Sequence, residues 1–295
     1  MLSFEPKDLE TKDLHQFLLG IVSPRPIAFV STIDENGEAN LAPYSFFNAF
    51  SSNPPIVVFS SNRRVANNTT KDTLANIKAT GECVINAVSY DIVRQMAVAS
   101  VEFPKGINEF EKTGLTPVAS DIIKPFRVKE SLAALECKVA DIITLGEKGG
   151  AGHLIICNVV KLHVSETVVD DRNRIDPNKI DLMGRLGRAY YVRVKGDQVF
   201  PIVQSVTDMV IGYDQLPDAI KHSNIFTGNN IGQLAGIDRI PTSADLDAVK
   251  EKYPEATNML QKENAREQLH SLAKSILDTN DKNRWDAACL AWMAE

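Results

Sequence analysis

Two apolar runs flank the dipeptide Asn36-Gly37, and this arrangement restricts the first part of the chain more than any other feature. The first run covers 27–30 and ends in the hydroxyls of Ser31 and Thr32, and the return run passes through 40–45 and on to Asn48. Asn-Gly is the strongest short-range hairpin signal, because both residues accept the positive φ angles of a tight turn. The sequence therefore predicts an antiparallel hairpin here.

Further strand patterns follow the hairpin. Pro54-Pro55 breaks the chain before a β-branched run that ends in Ser60 and Ser61, which gives three strands over 24–61. Other strands are predicted at 82–88, 132–145 and 153–164, the last two joined by a Gly-rich turn. Strands joined by turns, with helices inserted rather than alternating, favour a mainly β fold, an antiparallel barrel with added helices.

The helical patterns fall into two groups. Those of the first part of the chain cover 3–19, 70–80 and 91–99, with Thr70 as the N-cap of the second and a stop at Gly81. Those of the last part cover 214–222, 231–235, 244–252, 255–277 and 281–293, with Ser243 as the N-cap of the third. Because the composition changes after Gly196, we predict a first domain over 1–195 and a helical C-terminal extension over 196–295.

Charge and cysteine content exclude several classes of function. The net charge is −6, which argues against nucleic acid as a partner but not against one bound nucleotide. The four cysteines lack metal-type spacing, and three of them lie in apolar strand-like runs, as expected of small buried side chains in a reduced protein. Neither a signal peptide nor a membrane-spanning run is evident, so we expect a cytoplasmic protein that binds neither metal nor membrane.

The start of the helix at 70–80 carries Lys71 beside backbone N–H groups that lack intrahelical partners. Such a helix end attracts anions, and phosphate in particular. The alternative is an ordinary capped helix with exposed cations, because Thr70 and Asp72 would already satisfy part of that end. Composition alone favours the alternative.

Several segments, taken in order, resemble the flavin reductase-like proteins that bind FMN in a split β-barrel. The resemblance covers roughly 10–195, and no single segment is specific by itself. The matching segments are Pro24-Arg25-Pro26-Ile27-Ala28, Val30-Ser31-Thr32, Asn40-Leu41-Ala42-Pro43-Tyr44-Ser45, Asn53-Pro54-Pro55, Lys71-Asp72-Thr73, Gly81-Glu82, Asn86 and Gly152-His153-Leu154-Ile155-Ile156. The fold that this implies is an antiparallel split β-barrel followed by the helical extension.

The resemblance also implies a set of cofactor-binding residues. Those expected along the isoalloxazine ring and the ribityl chain are Ser31, Thr32, Asn40, Ala42, Pro43, Tyr44 and Ser45. Those expected at the ribityl chain or the phosphate are Ser60, Ser61, Arg63, Lys71 and Thr73. Arg64 is an equal alternative to Arg63, since neighbours on an extended chain point apart.

His153 is the expected catalytic residue, placed by the resemblance near the face where a reductase holds nicotinamide. Its alternative role is that of a strand-end histidine satisfied by the backbone. Asn158 stands where many such reductases carry Glu, which leaves the nicotinamide chemistry open. Five arginines between 172 and 193 either contact the flavin or a dimer partner, or form a solvated basic loop.

The implied function is that of an FMN-containing oxidoreductase. Hydride would pass from NAD(P)H to the flavin and then to free flavin, an iron chelate or a partner oxygenase, and the protein would act as a homodimer. The run 149–152 lacks the strand–turn–helix context of a dinucleotide-binding loop. The protein therefore supplies binding and orientation rather than a catalytic triad. Two alternatives stay open: an FMN electron carrier that never oxidises NAD(P)H, and a helical interaction module on an inert barrel.

Overall fold

The chain folds into two compact units, Met1–Val199 and Phe200–Glu295. The computed structural model describes residues 1–104, 106–202, 209–279 and 281–294. The predicted domain boundary between 195 and 196 stays a prediction.

All the strands belong to the first unit in the described part of the chain. In chain order they are β1 (Ala28–Ile33), β2 (Ala39–Tyr44), β3 (Phe47–Ser52), β4 (Pro55–Asn62), β5 (Glu82–Asn86), β6 (Pro117–Val118), β7 (Arg127–Val128), β8 (Ala133–Thr144), β9 (Gly152–Val164), β10 (Met183–Arg185) and β11 (Tyr191–Arg193). Seven of them form one antiparallel sheet in the order β2-β1-β5-β8-β9-β4-β3, while β6 pairs with β7 and β10 with β11.

The α-helices are distributed over both units. Those of the first unit are α1 (Thr11–Ile21), α2 (Asp72–Thr80), α3 (Val93–Val98), α4 (Glu109–Thr113) and α5 (Pro177–Ile180). Those of the second unit are α6 (Asp218–Lys221), α7 (Gly228–Ala235), α8 (Ser243–Lys252), α9 (Glu255–Leu260), α10 (Ala265–Thr279) and α11 (Arg284–Trp292). Short 3₁₀ helices cover Pro6–Asp8, Tyr90–Ile92, Glu166–Val168, Gly196–Gln198 and Asp281–Asn283.

The hairpin predicted at Asn36-Gly37 is confirmed. Thr32 of β1 stands opposite Asn40 of β2. The turn is held by the carboxylate of Asp34, whose Oδ1 accepts the N–H of Asn36 at 2.8 Å, and Gly37 has a φ of 87°, a value that favours glycine.

The expectation of three strands over 24–61 is wrong, because the return strand breaks. β2 ends at Tyr44, and β3 begins at Phe47 and pairs with β4 instead of β1. The chain turns at Ser45-Phe46, where the carbonyl of Phe46 accepts the N–H of Ser60 at 2.8 Å. This bond continues the β3–β4 pairing, so the strand pattern runs on through 40–48 although the pairing partner changes from β1 to β4.

The two edge strands, β2 and β3, show that the sheet curls into a barrel. They lie at opposite ends of the strand order and yet are joined by only Ser45 and Phe46, so the two edges must lie side by side. Across the interior, the rings of Tyr44 and Phe59 are 5.1 Å apart. The predicted antiparallel barrel is therefore confirmed.

The barrel interior is apolar and tightly filled. Cys83, Cys137 and Cys157 are fully buried in it, with the sulfurs of Cys83 and Cys157 3.9 Å apart. All four cysteines are free and buried, which confirms the prediction made for the three in strand-like runs. The pairing of β8 with β9 shifts register at Glu136/Cys137 and again at Val139/Asp141.

The second unit is a helical bundle with its own core, in which Leu234, Leu269 and Leu290 are fully buried. The N-cap of α8 is Thr242, not Ser243 as predicted, and it forms a capping box with Asp245. The single helix predicted at 255–277 is two helices, α9 and α10. Among the helices of the described ranges, none is long and apolar enough to cross a membrane.

Candidate functional site

Four polar side chains beneath the start of α2 form a hydrogen-bonded group at one end of the barrel. Asn40 donates from Nδ2 to Thr32 Oγ1 at 3.2 Å and to Thr73 Oγ1 at 2.9 Å. Asn76 donates from Nδ2 to Thr32 Oγ1 at 3.1 Å. We call Thr32, Asn40, Thr73 and Asn76 the barrel-end group. Because it joins β1, β2 and α2, it fixes the start of the helix over the barrel end.

Lys71 and Tyr44 lie next to this group. The ammonium nitrogen of Lys71 is 4.7 Å from the centroid of the Tyr44 ring, within the range of a cation–π contact. Tyr44 is buried, and burial is the main reason that its pKa rises to about 12. The phenol therefore stays protonated and can donate a hydrogen bond at neutral pH.

Lys71 is a half-buried cation at the open end of a helix. It occupies the N-cap position of α2, so the predicted Thr70 N-cap is wrong, and none of the described side chains caps that end. Burial lowers the pKa of Lys71, and Arg64 lowers it further, while Glu109 and Glu102 act in the opposite direction. Lys71 forms no ion pair with any residue of the described ranges.

Three polar atoms at this end of the barrel are buried without a hydrogen-bond partner among the described residues. They are the hydroxyl oxygens of Tyr44 and Ser61 and the Nε2 of His153. Ser61 and His153 face each other across β4 and β9. Since buried polar atoms are almost always satisfied, such a set indicates a place for a polar ligand or for ordered water.

His153 is more enclosed than its predicted role suggests. It is 2% exposed, and its Nδ1 lies 3.1 Å from Thr144 Oγ1. Burial, assisted by Lys78 and Arg63, lowers the pKa of His153 below 6.5, so the imidazole is neutral at pH 7. The predicted contact with nicotinamide stays a prediction, and it requires the ring to be uncovered.

A separate cleft is lined by residues of the segment 22–26, of β3 and of β4. It has a volume of about 320 Å³ and is lined mainly by apolar groups, and its polar lining residues are Arg25, Ser45, Asn48 and Ser60. Ser60 donates to Asn62 Oδ1 at 2.7 Å, and Ser45 Oγ lies 3.4 Å from the guanidinium of Arg25. The predicted cofactor residues are therefore divided between the barrel end and this apolar cleft.

Three further predicted residues contribute little exposed surface. Ser31 is fully buried on β1, and its Oγ has no partner among the described residues. Ala42 packs into the barrel core and Pro43 is half-buried.

Arg63 and Arg64 have different electrostatic neighbours. Arg64 acts electrostatically on Lys71 and Tyr44, whereas Arg63 acts on His153. Arg63 donates to the carbonyl of Asn68 at 3.0 Å. Arg64 lies closer to the candidate anion position, and the predicted contact of Arg63 with the phosphate stays a prediction.

Two of the arginines between 172 and 193 form ion pairs within the first unit. Arg193 pairs with Asp181 at 2.5 Å, and its guanidinium lies 3.8 Å from the centroid of the Tyr90 ring. Arg174 pairs with Asp170 at 2.8 Å. For these two side chains, the structure favours ion pairs within the unit over a loosely solvated loop.

Two contributors were missed in the sequence. Asn76 completes the barrel-end group, and Glu109 Oε2 accepts the N–H of Leu41 at 3.0 Å, which supports β2 from α4. Burial is the largest influence on Glu109 and raises its pKa. For Asn76 a signal existed, since it lies three residues after Thr73 and hence on the same face of a helix.

Comparison with known proteins assigns the first unit. The sequence profile of the flavin reductase like domain matches residues 22–178. Similar solved structures include nitrilotriacetate monooxygenase component B from Bacillus cereus, which is 33% identical with a TM-score of 0.64 and covers 68% of this chain and 98% of its own. The 2-nitrobenzoate 2-nitroreductase of Pseudomonas fluorescens is 28% identical, with a TM-score of 0.62 and coverages of 74% and 100%.

A third similar structure contains a split barrel domain. It comes from Shewanella frigidimarina and is described as a candidate flavin reductase with a split barrel domain. It is 26% identical, with a TM-score of 0.59, and covers 70% of this chain and 100% of its own. Together with the curled antiparallel sheet and the matched profile, this places the chain in the flavin reductase-like family of split β-barrel proteins.

Proposed function

We propose that the protein binds FMN at the barrel end and transfers hydride from NAD(P)H to it. The observation that carries the proposal is the ammonium of Lys71 at the start of α2, which forms no ion pair with the described residues and lies beside buried polar atoms without a hydrogen-bond partner among them. A helix N-terminus with a neighbouring cation suits a phosphate, because backbone N–H groups and positive charge act together there.

The residues present fit a flavin nucleotide. Lys71, Thr73 and Ser61 would hold the phosphate, with Arg63 or Arg64 adding charge. The apolar cleft at Ser45 and Ser60 suits a flat aromatic ring, since such pockets combine apolar walls with a few polar groups. A bound flavin would supply the hydride-accepting chemistry, and the protein would supply binding, orientation and the exclusion of water.

The protein's own groups define a role in binding rather than in acid–base chemistry. The Tyr44 phenol stays protonated and His153 stays neutral at pH 7, so both can take part in hydrogen bonds to a polar ligand. Asn40 and Asn76 hold Thr32 and α2 in place. We keep Ser31, Ala42 and Pro43 as proposed contacts through their backbone.

The physiological acceptor is proposed from the relatives alone. The similarity to a monooxygenase component supports delivery of electrons to a partner oxygenase, with free flavin or an iron chelate as the other proposed acceptors. We also propose a homodimer, because Val22 and Phe50 at the apolar cleft are largely exposed in the single chain. Analytical ultracentrifugation of the purified protein tests this.

Two measurements test the proposal in sequence. Titration of the purified protein with FMN, followed by quenching of flavin fluorescence, should show saturable binding, and absence of binding overturns the proposed site. Anaerobic addition of NADH and then NADPH to the loaded protein should bleach the oxidised-flavin absorbance. Flavin that stays oxidised under both would overturn the reductase activity and favour the electron-carrier alternative.

A further inference from the structure

The contact between Lys71 and Tyr44 has a consequence for the choice of ligand. We propose that Tyr44 is a positioning residue whose ring holds the Lys71 ammonium over the barrel end. This contact makes the site prefer FMN over unphosphorylated riboflavin. This inference rests on the proposed function, because it concerns the same site.

The position of Lys71 does not follow from its own interactions with carboxylates. In the part of the chain that the structure describes, it makes no ion pair. The ring of Tyr44, with its centroid at 4.7 Å, is the aromatic face that the ammonium contacts. A long, flexible side chain without such a contact samples many rotamers, and ordering it on binding weakens affinity.

Tyr44 is a suitable platform because it cannot easily move. It is 6% exposed, it lies at the end of β2 opposite Ala28, and its ring packs against Phe59 at 5.1 Å between centroids. Its hydroxyl is buried and has no partner in the described ranges. One ring therefore joins the apolar core to the cation of the candidate phosphate position.

A purely structural role for Tyr44 predicts a different result. If the ring only fills the core, its loss should weaken FMN and riboflavin by the same factor. If it positions Lys71, its loss should weaken FMN more than riboflavin, because riboflavin has no phosphate for the ammonium to contact. The ratio of the two dissociation constants therefore separates the two roles.

The test compares Tyr44→Phe, which keeps the ring, with Tyr44→Met, which removes it, in titrations of FMN and riboflavin. Tyr44→Met should lower the preference for FMN about 2- to 30-fold, the range expected for a cation–π contact. Tyr44→Phe should keep most of the preference. Phe29→Met is the matched control and should leave the ratio unchanged, because the fully buried Phe29 ring lies on the opposite face of β1 in a separate core cluster from Tyr44.

A double-mutant cycle isolates the contact. In a Lys71→Met background, Tyr44→Met should have no further effect on the ratio, because the cation it positions is gone. Equal loss for both ligands in Tyr44→Met, or the same loss of preference in Tyr44→Phe, overturns the inference.

A measurement on the wild-type protein covers the case in which Tyr44→Met does not fold. The ε-methylene protons of Lys71 should show an upfield ring-current shift in the NMR spectrum of wild type and Tyr44→Phe. Ordinary lysine positions for these protons overturn the inference without any flavin being added. Failure to bind either flavin, with the ring-current shift present, would instead overturn the proposed function.

Discussion

Removal of the Asn40 side chain offers a quantitative test of how α2 is held on the barrel. Asn40 makes two hydrogen bonds, to Thr32 and to Thr73, and the Asn40→Ala variant loses both. At about 1 kcal/mol for each neutral hydrogen bond, the free energy of unfolding should fall by about 2 kcal/mol. For a unit of this size that corresponds to a decrease in Tm of about 4–8 °C.

The assay must report on the barrel rather than on the second unit. Both tryptophans, Trp285 and Trp292, lie in the second unit, so tryptophan fluorescence does not follow the barrel. Circular dichroism follows the helices of both units, so the free energy is taken from hydrogen exchange of first-unit peptides along a urea series. Peptides from Asp72–Thr80 should show faster exchange in α2 of the variant.

The control for this prediction is Asn48→Ala. Asn48 is exposed, and its side chain accepts only the N–H of Ala49, so the change should stay within about 0.5 kcal/mol. Thr73→Val should cost less in the Asn40→Ala background than in wild type, because the shared bond is already absent. An Asn40→Ala protein as stable as the Asn48→Ala protein, or strict additivity with Thr73→Val, would refute the reasoning.

Three further results are expected. The affinity for FMN should fall as the pH rises through the lowered pKa of Lys71, at a lower pH than expected for a lysine of ordinary pKa 10.5. FMN titrations of Lys71→Met should show no such fall, whereas those of the exposed control Lys112→Met should still show it. The pKa of His153 is lower in the folded than in the unfolded state, so the unfolded state binds more protons and the free energy of unfolding should decline as the pH falls below 6.5. In urea unfolding between pH 7 and pH 5, the free energy of unfolding of His153→Gln should decline less than that of wild type. Arg25 is buried and donates to the carbonyls of Leu19, Val22 and Leu186, so Arg25→Met should lower the free energy of unfolding by about 2–4 kcal/mol in the same assay, and a loss below about 1 kcal/mol would contradict this role.

Local patterns predicted much of the fold. The Asn36-Gly37 turn, the long β8–β9 hairpin and the end of α2 at Gly81, whose φ is 70°, all depend on residues close together in the sequence. The break between β2 and β3 lies where the chain stops pairing with β1 and begins to pair with β4, next to the hydrogen bond from the Ser60 N–H to the Phe46 carbonyl. Such a change of partner leaves no periodic signal in the segment in which it occurs.

The residues of the candidate site likewise include some that the sequence predicted and some that it did not. Lys71 was predicted because it opens a helix, and Thr73 because the resemblance implied it. Asn76 and Glu109 were missed because their partners, Thr32 and Leu41, are 44 and 68 positions away in the sequence. The burial of His153 was also hidden, since strand periodicity does not say how much of a strand end a neighbouring helix covers.

The two register shifts of the β8–β9 hairpin give each arm one spare residue. Val139 and Ile142 both pack on the core although they are three positions apart, and the exposed Ala140 and Asp141 lie between them. Removing Ala140 would restore an uninterrupted alternation without turning the Asp141 carboxylate inward. The spare residue of β9 is Val160, which lies between the partners of Glu136 and Cys137. Each arm can therefore lose one residue at its own bulge without reversing the side chains beyond it, whereas a deletion of Cys137, which is paired, would turn Lys138 toward the barrel interior.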